Sequence, residues 1–411
     1  MIRLPLPSRR LCQLAAGLLL VGGASVSRAG LDAAKPAATH VRAADEIHGL
    51  LNLGNSMTDR RDFESAEIAF RQVLEVPGGP GPEEAKAALL GLARMYRKQG
   101  ASVKAVAIYE KFLADYPGDP RTPEVLLESG RTMRAMGSHR LALARFYSVI
   151  NSTLKLPDKG FDHYQQLAKT AQFEIAETHF QSGEYAEAAK YFSRLRLLDL
   201  APGDRARAHF KAAYALSLQG DNEGAVNMLN SFLEQWPDDE NVPEARYLLA
   251  TTLHTLGRTQ DALVATLDLL RTQQAHPGSD AKRWAYWQRR TGNQLANNFF
   301  EQGDILNAQL IYTSLAALTD DPTWRLPVLY QIGLCHERLG SIDRARLAYQ
   351  DIIEAGKKNP TEETAELSRM AEWRLGHLDW NDSTRHEVTA IFETTTGRAP
   401  RAPAKLTTPA P

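Results

Sequence analysis

Regularly spaced glycines limit the fold of this 411-residue chain more than any other feature. Each of seven glycines has an alanine five residues later and an alanine or glycine seven residues earlier. The residue nine positions later is apolar in every unit but one, where it is Thr266. The glycines are Gly100, Gly137, Gly183, Gly220, Gly257, Gly303 and Gly340. An earlier eighth unit keeps Gly54, Ala66 and Phe70 but has Arg61 in place of the glycine.

These spacings predict pairs of antiparallel helices. A glycine between two amphipathic segments suits a helix end that needs positive φ. Small residues on both sides allow the two helices to approach closely, and the aromatic nine residues on is expected to fill the space between one helix pair and the next. The sequence therefore predicts an all-α array of small units that pack mainly on their neighbours.

The pattern resembles the tetratricopeptide repeat, whose unit of about 34 residues has small residues, glycine, alanine, an aromatic and proline at these spacings. The resemblance covers roughly residues 43–380. It implies a right-handed superhelical solenoid of about eight helix-turn-helix repeats, closed by a C-terminal capping helix pair. We expect a signal peptide over 1–29, a linker over 30–42, the solenoid with its cap over 43–396, and a disordered Pro- and Ala-rich tail over 397–411.

The intervals between the glycines are 37, 46, 37, 37, 46 and 37 residues. Extra residues therefore lie near 151–163 and 272–284, where either protruding loops or lengthened helices would fit. The order repeats after 120 residues. A duplicated block of three units would explain this order, and independent insertions would explain it as well.

The first 29 residues predict export. Arg3, Arg9 and Arg10 precede a short apolar run, and small residues at Ser27 and Ala29 suit signal-peptidase cleavage before Gly30. Cleavage would remove four arginines and no acid, which takes the formal net charge from −1 to −5. A mildly acidic chain is a poor nucleic-acid binder. No later segment is long and apolar enough to be a transmembrane helix, so we expect a periplasmic or secreted protein, compatible with peripheral association with an envelope complex.

In tetratricopeptide arrays, one side of the first helices lines a concave groove where partner peptides commonly bind. The resemblance therefore implies a peptide-binding face that is aromatic from the fourth unit onward and basic in the second and third units. For each of these side chains, packing within the array or internal ion pairing is an equally good interpretation. The predicted binding residues are Phe173, Glu177, Phe180, Phe210, Tyr214, Tyr247, Tyr330, Arg94, Arg97, Arg131 and Arg134.

The sequence predicts no catalytic residue, metal site or cofactor. His336-Glu337 lacks the second histidine of a zinc protease, and no phosphate-binding loop occurs. His179 and His336 suit packing positions, and Cys335 suits a buried, inert thiol more than a reactive one. The expected partners are other proteins of the envelope or secreted proteins.

Residues 116–130 and 236–250 resemble repeats of bacterial envelope proteins such as the β-barrel assembly lipoprotein and the coordinator of the Tol–Pal system. The chain lacks the lipid-anchor cysteine of the first and a coiled coil like that of the second. We therefore expect a non-catalytic periplasmic scaffold that binds proteins, with a role in envelope assembly or maintenance. The alternatives are a helical accessory domain of a cell-wall enzyme like the soluble lytic transglycosylases, and a self-assembling structural array.

Overall fold

A computed structural model describes residues 36–77, 79–153, 161–272 and 280–396. Every regular element among these residues is an α-helix, and there are seventeen. The first nine are α1 Pro36–Asp59, α2 Phe63–Leu74, α3 Pro82–Gln99, α4 Ser102–Asp115, α5 Thr122–Ala135, α6 His139–Thr153, α7 Phe161–Gln181, α8 Tyr185–Leu195 and α9 Pro202–Gln219. The others are α10 Asn222–Gln235, α11 Val242–Thr255, α12 Thr259–Thr272, α13 Ala281–Glu301, α14 Ile305–Ala316, α15 Pro322–Arg338, α16 Ile342–Lys358 and α17 Glu362–Thr396. The predicted all-α class is confirmed.

The chain divides into two compact units after Ala88, inside α3. In the first unit, α1 packs on α2, and a small core forms around Ile47, Val73 and Ala88. In the second unit, consecutive helices pack on one another from α4 to α17. Helices two positions apart also touch, as α5 does with α7 and α11 does with α13.

The residue at the turn between the two helices of each pair has a left-handed backbone conformation, as the glycine spacing predicts. The seven repeat glycines have φ between 70° and 91°, and Arg61 takes the same conformation at 64°. In each turn, the N–H of the residue after the turn position donates to a carbonyl five residues back, as Glu184 does to His179 at 2.9 Å. This arrangement satisfies carbonyls that the helix end would leave unpaired.

The small residues mark the points where the two helices of a pair touch. A Cβ at Gly130 would lie 2.6 Å from the Phe146 ring, and a Cβ at Gly333 would lie 2.5 Å from the Tyr349 ring. The aromatic therefore packs first on the small residue of its own repeat. Phe146 also shares a core cluster with Ala171 and Ile175 of the next helix, so the predicted filling between repeats is only part of its role.

The two long intervals contain lengthened helices. Both α7 and α13 have 21 residues, whereas α5 and α11 have 14. The segments 154–160 and 273–279, which precede the long helices, lie outside the described residues.

The predicted chain ends need two corrections. Helix α1 begins at Pro36, inside the range 30–42 predicted as a linker. The cap is one helix of 35 residues, α17, and not a helix pair. No proline or left-handed glycine interrupts it, and Arg346 of α16 holds it beyond Leu378 by pairing with Asp379 and Asp382. The predicted signal peptide (1–29) and tail (397–411) lie outside the described residues.

Candidate functional site

Aromatic and charged side chains, most of them half-buried, lie on the first helices of the fourth to seventh repeats. We call this set of side chains the aromatic patch. It consists of Phe173, Glu177 and Phe180 of α7, Lys211 and Tyr214 of α9, Glu244 and Tyr247 of α11, and Tyr286, Trp287 and Arg290 of α13.

The α7–α9 part of the patch is built by rings and cations. The Phe180 ring lies 5.6 Å from Tyr185 and 5.4 Å from Tyr214, both in edge-on geometry. The Lys211 ammonium lies 4.7 Å from the centre of the Phe180 ring and 3.6 Å from the Glu177 carboxylate. The Arg207 guanidinium lies 5.7 Å from the Phe173 ring. These contacts fix the side chains while leaving the rings partly open to solvent.

The α11–α13 part repeats this arrangement. The Tyr247 and Trp287 rings lie 4.9 Å apart, and the Tyr247 hydroxyl donates to Gln294 at 3.0 Å. The Arg290 guanidinium lies 5.1 Å from the Tyr247 ring and 5.4 Å from the Trp287 ring. It also donates to the Tyr286 hydroxyl at 2.9 Å. Arg290 therefore holds three aromatic side chains at once.

Glu244 lies where the two parts meet. Burial raises the pKa of its carboxyl above the ordinary value, against the opposing effect of Arg283, Lys211 and Arg290. Burial also raises the pKa of Tyr214, and the charge of Glu244 adds to this rise. The two parts are thus electrostatically linked, and Glu244 is a carboxylate whose hydration is already reduced before any partner arrives.

The predicted arginine cluster is paired with acids of its own wall. Arg97 pairs with Glu128. Arg131 lies 2.8 Å from Glu128 and 2.7 Å from Glu174, and Arg134 lies 2.6 Å from Glu174. The carboxylates of α5 and α7 thus give Arg97, Arg131 and Arg134 the internal ion pairing that was the alternative interpretation, and their role in binding a partner stays a prediction. Arg94 is exposed.

Two other predicted binding residues belong to the core. Phe210 is 3% exposed and packs 5.5 Å from Phe232. Tyr330 is 8% exposed and packs 5.7 Å from Tyr349. Neither ring is open to a partner, so their assignment as binding residues is wrong. Phe173, Glu177, Phe180, Tyr214 and Tyr247 are half-buried within the patch, and their binding role stays a prediction.

The sequence did not single out Tyr286, Trp287, Arg290 or Lys211. The aromatic ladder breaks at Asn293 when the repeats are aligned on their glycines. Because α13 is seven residues longer than α11, its first two turns carry extra positions, and Trp287 reaches Tyr247 from there. The 46-residue interval from Gly257 to Gly303 was the sequence feature that could have indicated these extra positions.

A cleft of about 150 Å³ adjoins Phe173 at one end of the patch. Its lining mixes cations and acids, among them Lys169, Asp204 and Arg207. The cleft is smaller than the usual pocket for a small organic ligand. It therefore extends the patch as a polar border.

The buried histidines and cysteine have structural surroundings. His179 stacks on Tyr191 at 5.3 Å and contacts Glu184 at 2.5 Å. Burial lowers the pKa of His336 and raises the pKa of the Cys335 thiol to about 11. Within the described residues, no group of three histidine, cysteine or acidic side chains is arranged to hold a metal ion. No helix in the described part of the chain has the length and apolarity to cross a membrane.

Comparison with known proteins gives three family matches. A family described as an outer membrane lipoprotein matches residues 165–281, and two described as tetratricopeptide repeats match 51–120 and 328–355. No curated protein matches the chain.

Solved structures of low identity also match. A tetratricopeptide repeat protein from Parabacteroides merdae is 15% identical, with 71% of this chain and 99% of that chain covered and a TM-score of 0.43. The apo form of RapI is 13% identical, with 67% and 98% covered and a TM-score of 0.43. MamA is 18% identical, with 47% and 93% covered and a TM-score of 0.37. At these sequence identities and TM-scores, the matches carry no information about the function of this chain.

The two tetratricopeptide matches lie near opposite ends of the described chain, and the helix pairs between them keep the same turn conformation and the same buried alanines. The described helix pairs therefore have the architecture of a tetratricopeptide repeat array, and residues 51–120 and 328–355 are similar to that repeat in sequence.

Proposed function

We propose that the chain is a non-catalytic scaffold of the bacterial periplasm that binds a segment of another protein on the aromatic patch. The observation that carries the proposal is the patch itself. Its rings come from four successive first helices, and those of Phe173, Phe180, Tyr247 and Trp287 each have a cation 4.7 to 5.7 Å from the ring centre. A core needs its rings covered, whereas these remain partly open.

The chemistry of the patch suits a peptide. Fixed aromatic rings supply apolar contact area and lose little conformational entropy on binding. Cations and carboxylates alternate with the rings, so polar groups of a bound backbone would find both donors and acceptors. Glu244, with its raised pKa, would be a strong acceptor for a backbone N–H or a cationic side chain once a ligand excludes water.

Two observations support a location in the cell envelope. Residues 1–29 have the composition of a secretory signal. The outer membrane lipoprotein family matches 165–281, which spans most of α7 and all of α8 to α12. On this proposal the partner is a protein of the envelope or a secreted protein.

Affinity capture from envelope fractions tests the binding role. The wild type is compared with a Tyr247→Ala/Trp287→Ala variant and with Leu306→Ala, a control on α14 whose side chain is 67% exposed. We expect the wild type and the control to capture the same proteins, and the double variant to lose at least one of them. Identical capture by all three would refute a binding role for the patch.

A further inference from the structure

Helix α17 has two apolar faces, and only one of them is covered. Its inner face buries Ala371 and Leu378 in a cluster with Tyr349 and Ile352. The second face, which we call the outer stripe, points away from that cluster. The outer stripe consists of Met370, Trp373, His377, Trp380, Thr384, Val388 and Ile391.

Most of the outer stripe is exposed. Trp373 and Trp380 are 63% and 61% exposed, and Val388 and Ile391 are 60% and 65% exposed. The His377 ring stacks between the two tryptophans, with ring centres 5.4 Å and 6.1 Å away. Large apolar groups gathered in this way on a surface usually mark an interaction site.

The spacing of the outer stripe suits a second helix. Its members are three or four residues apart, which is the spacing of the seam where two helices pack side by side. The stripe runs over six turns, from Met370 to Ile391. A partner helix of similar length would cover it, and a second copy of α17 has that length and the same stripe.

Charge on the edge of the stripe favours a second copy in antiparallel orientation. Arg369 and Glu387 are both exposed and lie 18 residues apart, which is five full helical turns, so they share one edge. In an antiparallel pair with its two-fold axis near Leu378, Arg369 of each copy faces Glu387 of the other. A parallel pair would place Arg369 against Arg369 and Glu387 against Glu387.

The same antiparallel register also brings stripe residues of the two copies opposite one another. Trp373 then faces Thr384 of the second copy, and His377 faces Trp380. Trp380 of one copy also faces Gly376 of the other copy. Within one chain, a Cβ added at Gly376 would meet nothing within 4 Å. A glycine inside an exposed helix costs about 1 kcal/mol relative to alanine, and here it leaves room for the large ring of the second copy.

We propose that two copies of this chain associate through antiparallel packing of their α17 outer stripes, with Arg369 and Glu387 as reciprocal ion pairs. The interface uses no residue of the aromatic patch, so this inference is independent of the proposed function.

Sedimentation equilibrium of the full chain tests the proposal. Five proteins are compared: the wild type, Trp373→Ala/Trp380→Ala, Arg369→Glu, Glu387→Arg, and the combined charge reversal Arg369→Glu/Glu387→Arg. Leu141→Ala, at a 59% exposed position on α6, is the control. Because all the altered side chains are exposed, circular dichroism should show an unchanged fold in each.

We expect a reversible dimer for the wild type and the control, and loss of dimer in the double tryptophan variant. Each single reversal creates two like-charge contacts and should weaken association by about tenfold. The combined reversal should restore wild-type association, and only the antiparallel register predicts weakening by each single reversal followed by this recovery.

Three results would overturn the proposal. One is a wild type that stays monomeric at high micromolar concentration. Another is a dimer that survives loss of both tryptophans. The third is a monomer that binds phosphatidylglycerol/phosphatidylethanolamine vesicles through Trp373 and Trp380, because the stripe would then be a lipid-binding surface.

Discussion

The residue at each of the eight repeat turns has positive φ, which suits glycine better than any other residue. Seven turns have glycine, which takes positive φ without steric cost, and the first has Arg61 at φ 64°. A residue with a Cβ in this conformation carries strain of roughly 1 kcal/mol.

Arg61→Gly should therefore raise the free energy of unfolding of the first unit by about 0.5–1 kcal/mol. Arg60→Gly is the matched control, because Arg60 is also exposed but does not have positive φ. It should leave stability unchanged or lower it. Urea denaturation followed by circular dichroism measures both, and equal effects would contradict the role given to the left-handed turn.

At Gly130 the requirement is space and not positive φ, because the missing side chain makes room for Phe146. Gly130→Ala should destabilise the chain by about 1–2 kcal/mol, since the added methyl must displace a fully buried ring and the gain in helix propensity is smaller. Combining it with Phe146→Leu should recover part of the loss. Additive losses in the double variant would argue against a direct contact.

Cys335 should be inert in the folded chain. Its side chain is fully buried and its pKa is raised to about 11, so the thiolate fraction stays very small between pH 7 and 9. In a Cys12→Ser background, a disulfide reagent such as DTNB should label Cys335 only after denaturation. Fast labelling of the native chain that increases with pH would contradict this.

The sequence was informative for residues that the repeat rule determines. Gly183, Ala188 and Phe192 recur because two helices must touch at fixed points, and sequence spacing records those points. It was less informative for Phe210 and Arg131. Their exposure depends on what the neighbouring helix places opposite them, Phe232 for one and Glu174 for the other.

The repeats differ in the length of their helices, whereas their turns keep the same conformation. The 21-residue α7 and α13 account for the two 46-residue intervals, and α13 brings Trp287 into the patch. Sequence alone left open whether the extra residues formed loops or helix. A loop would leave its backbone groups to water and a helix pairs them internally, at little net difference in free energy, so packing on the neighbouring helix decides between them.

Helix α17 stays continuous beyond the point where the sequence suggested a second helix. Arg346 provides a reason, because it pairs with both Asp379 and Asp382. Arg346→Ala should speed hydrogen exchange of backbone amides over 379–396 and lower stability by no more than about 1 kcal/mol. Arg344→Ala, an exposed change on the same helix, should not. Unchanged exchange in Arg346→Ala would show that the pairs do not hold the helix.

At the scale of the whole molecule, the chain combines a repeat core with two surfaces that packing leaves open. The repeat core follows from the glycine, alanine and aromatic spacing. The aromatic patch on α7, α9, α11 and α13 and the outer stripe of α17 do not follow from that spacing. They are the surfaces on which we place binding of a partner and pairing of copies.

Export is a prediction at this same scale. The chain purified from its own cells should begin at Gly30 and appear in the periplasmic or secreted fraction. N-terminal sequencing of the fractionated protein checks this, and an intact Met1 in the cytoplasmic fraction would contradict it.

The central claim is that the aromatic patch binds a protein partner, and photocrosslinking in living cells tests it most directly. A benzophenone amino acid is placed at Tyr286, which is 54% exposed in the patch, or at Leu306, which is 67% exposed on α14. We predict discrete crosslinked products from position 286 that disappear when Tyr247 is changed to alanine, and none from position 306. Absence of crosslinks at 286, or the same products from both positions, would contradict the claim.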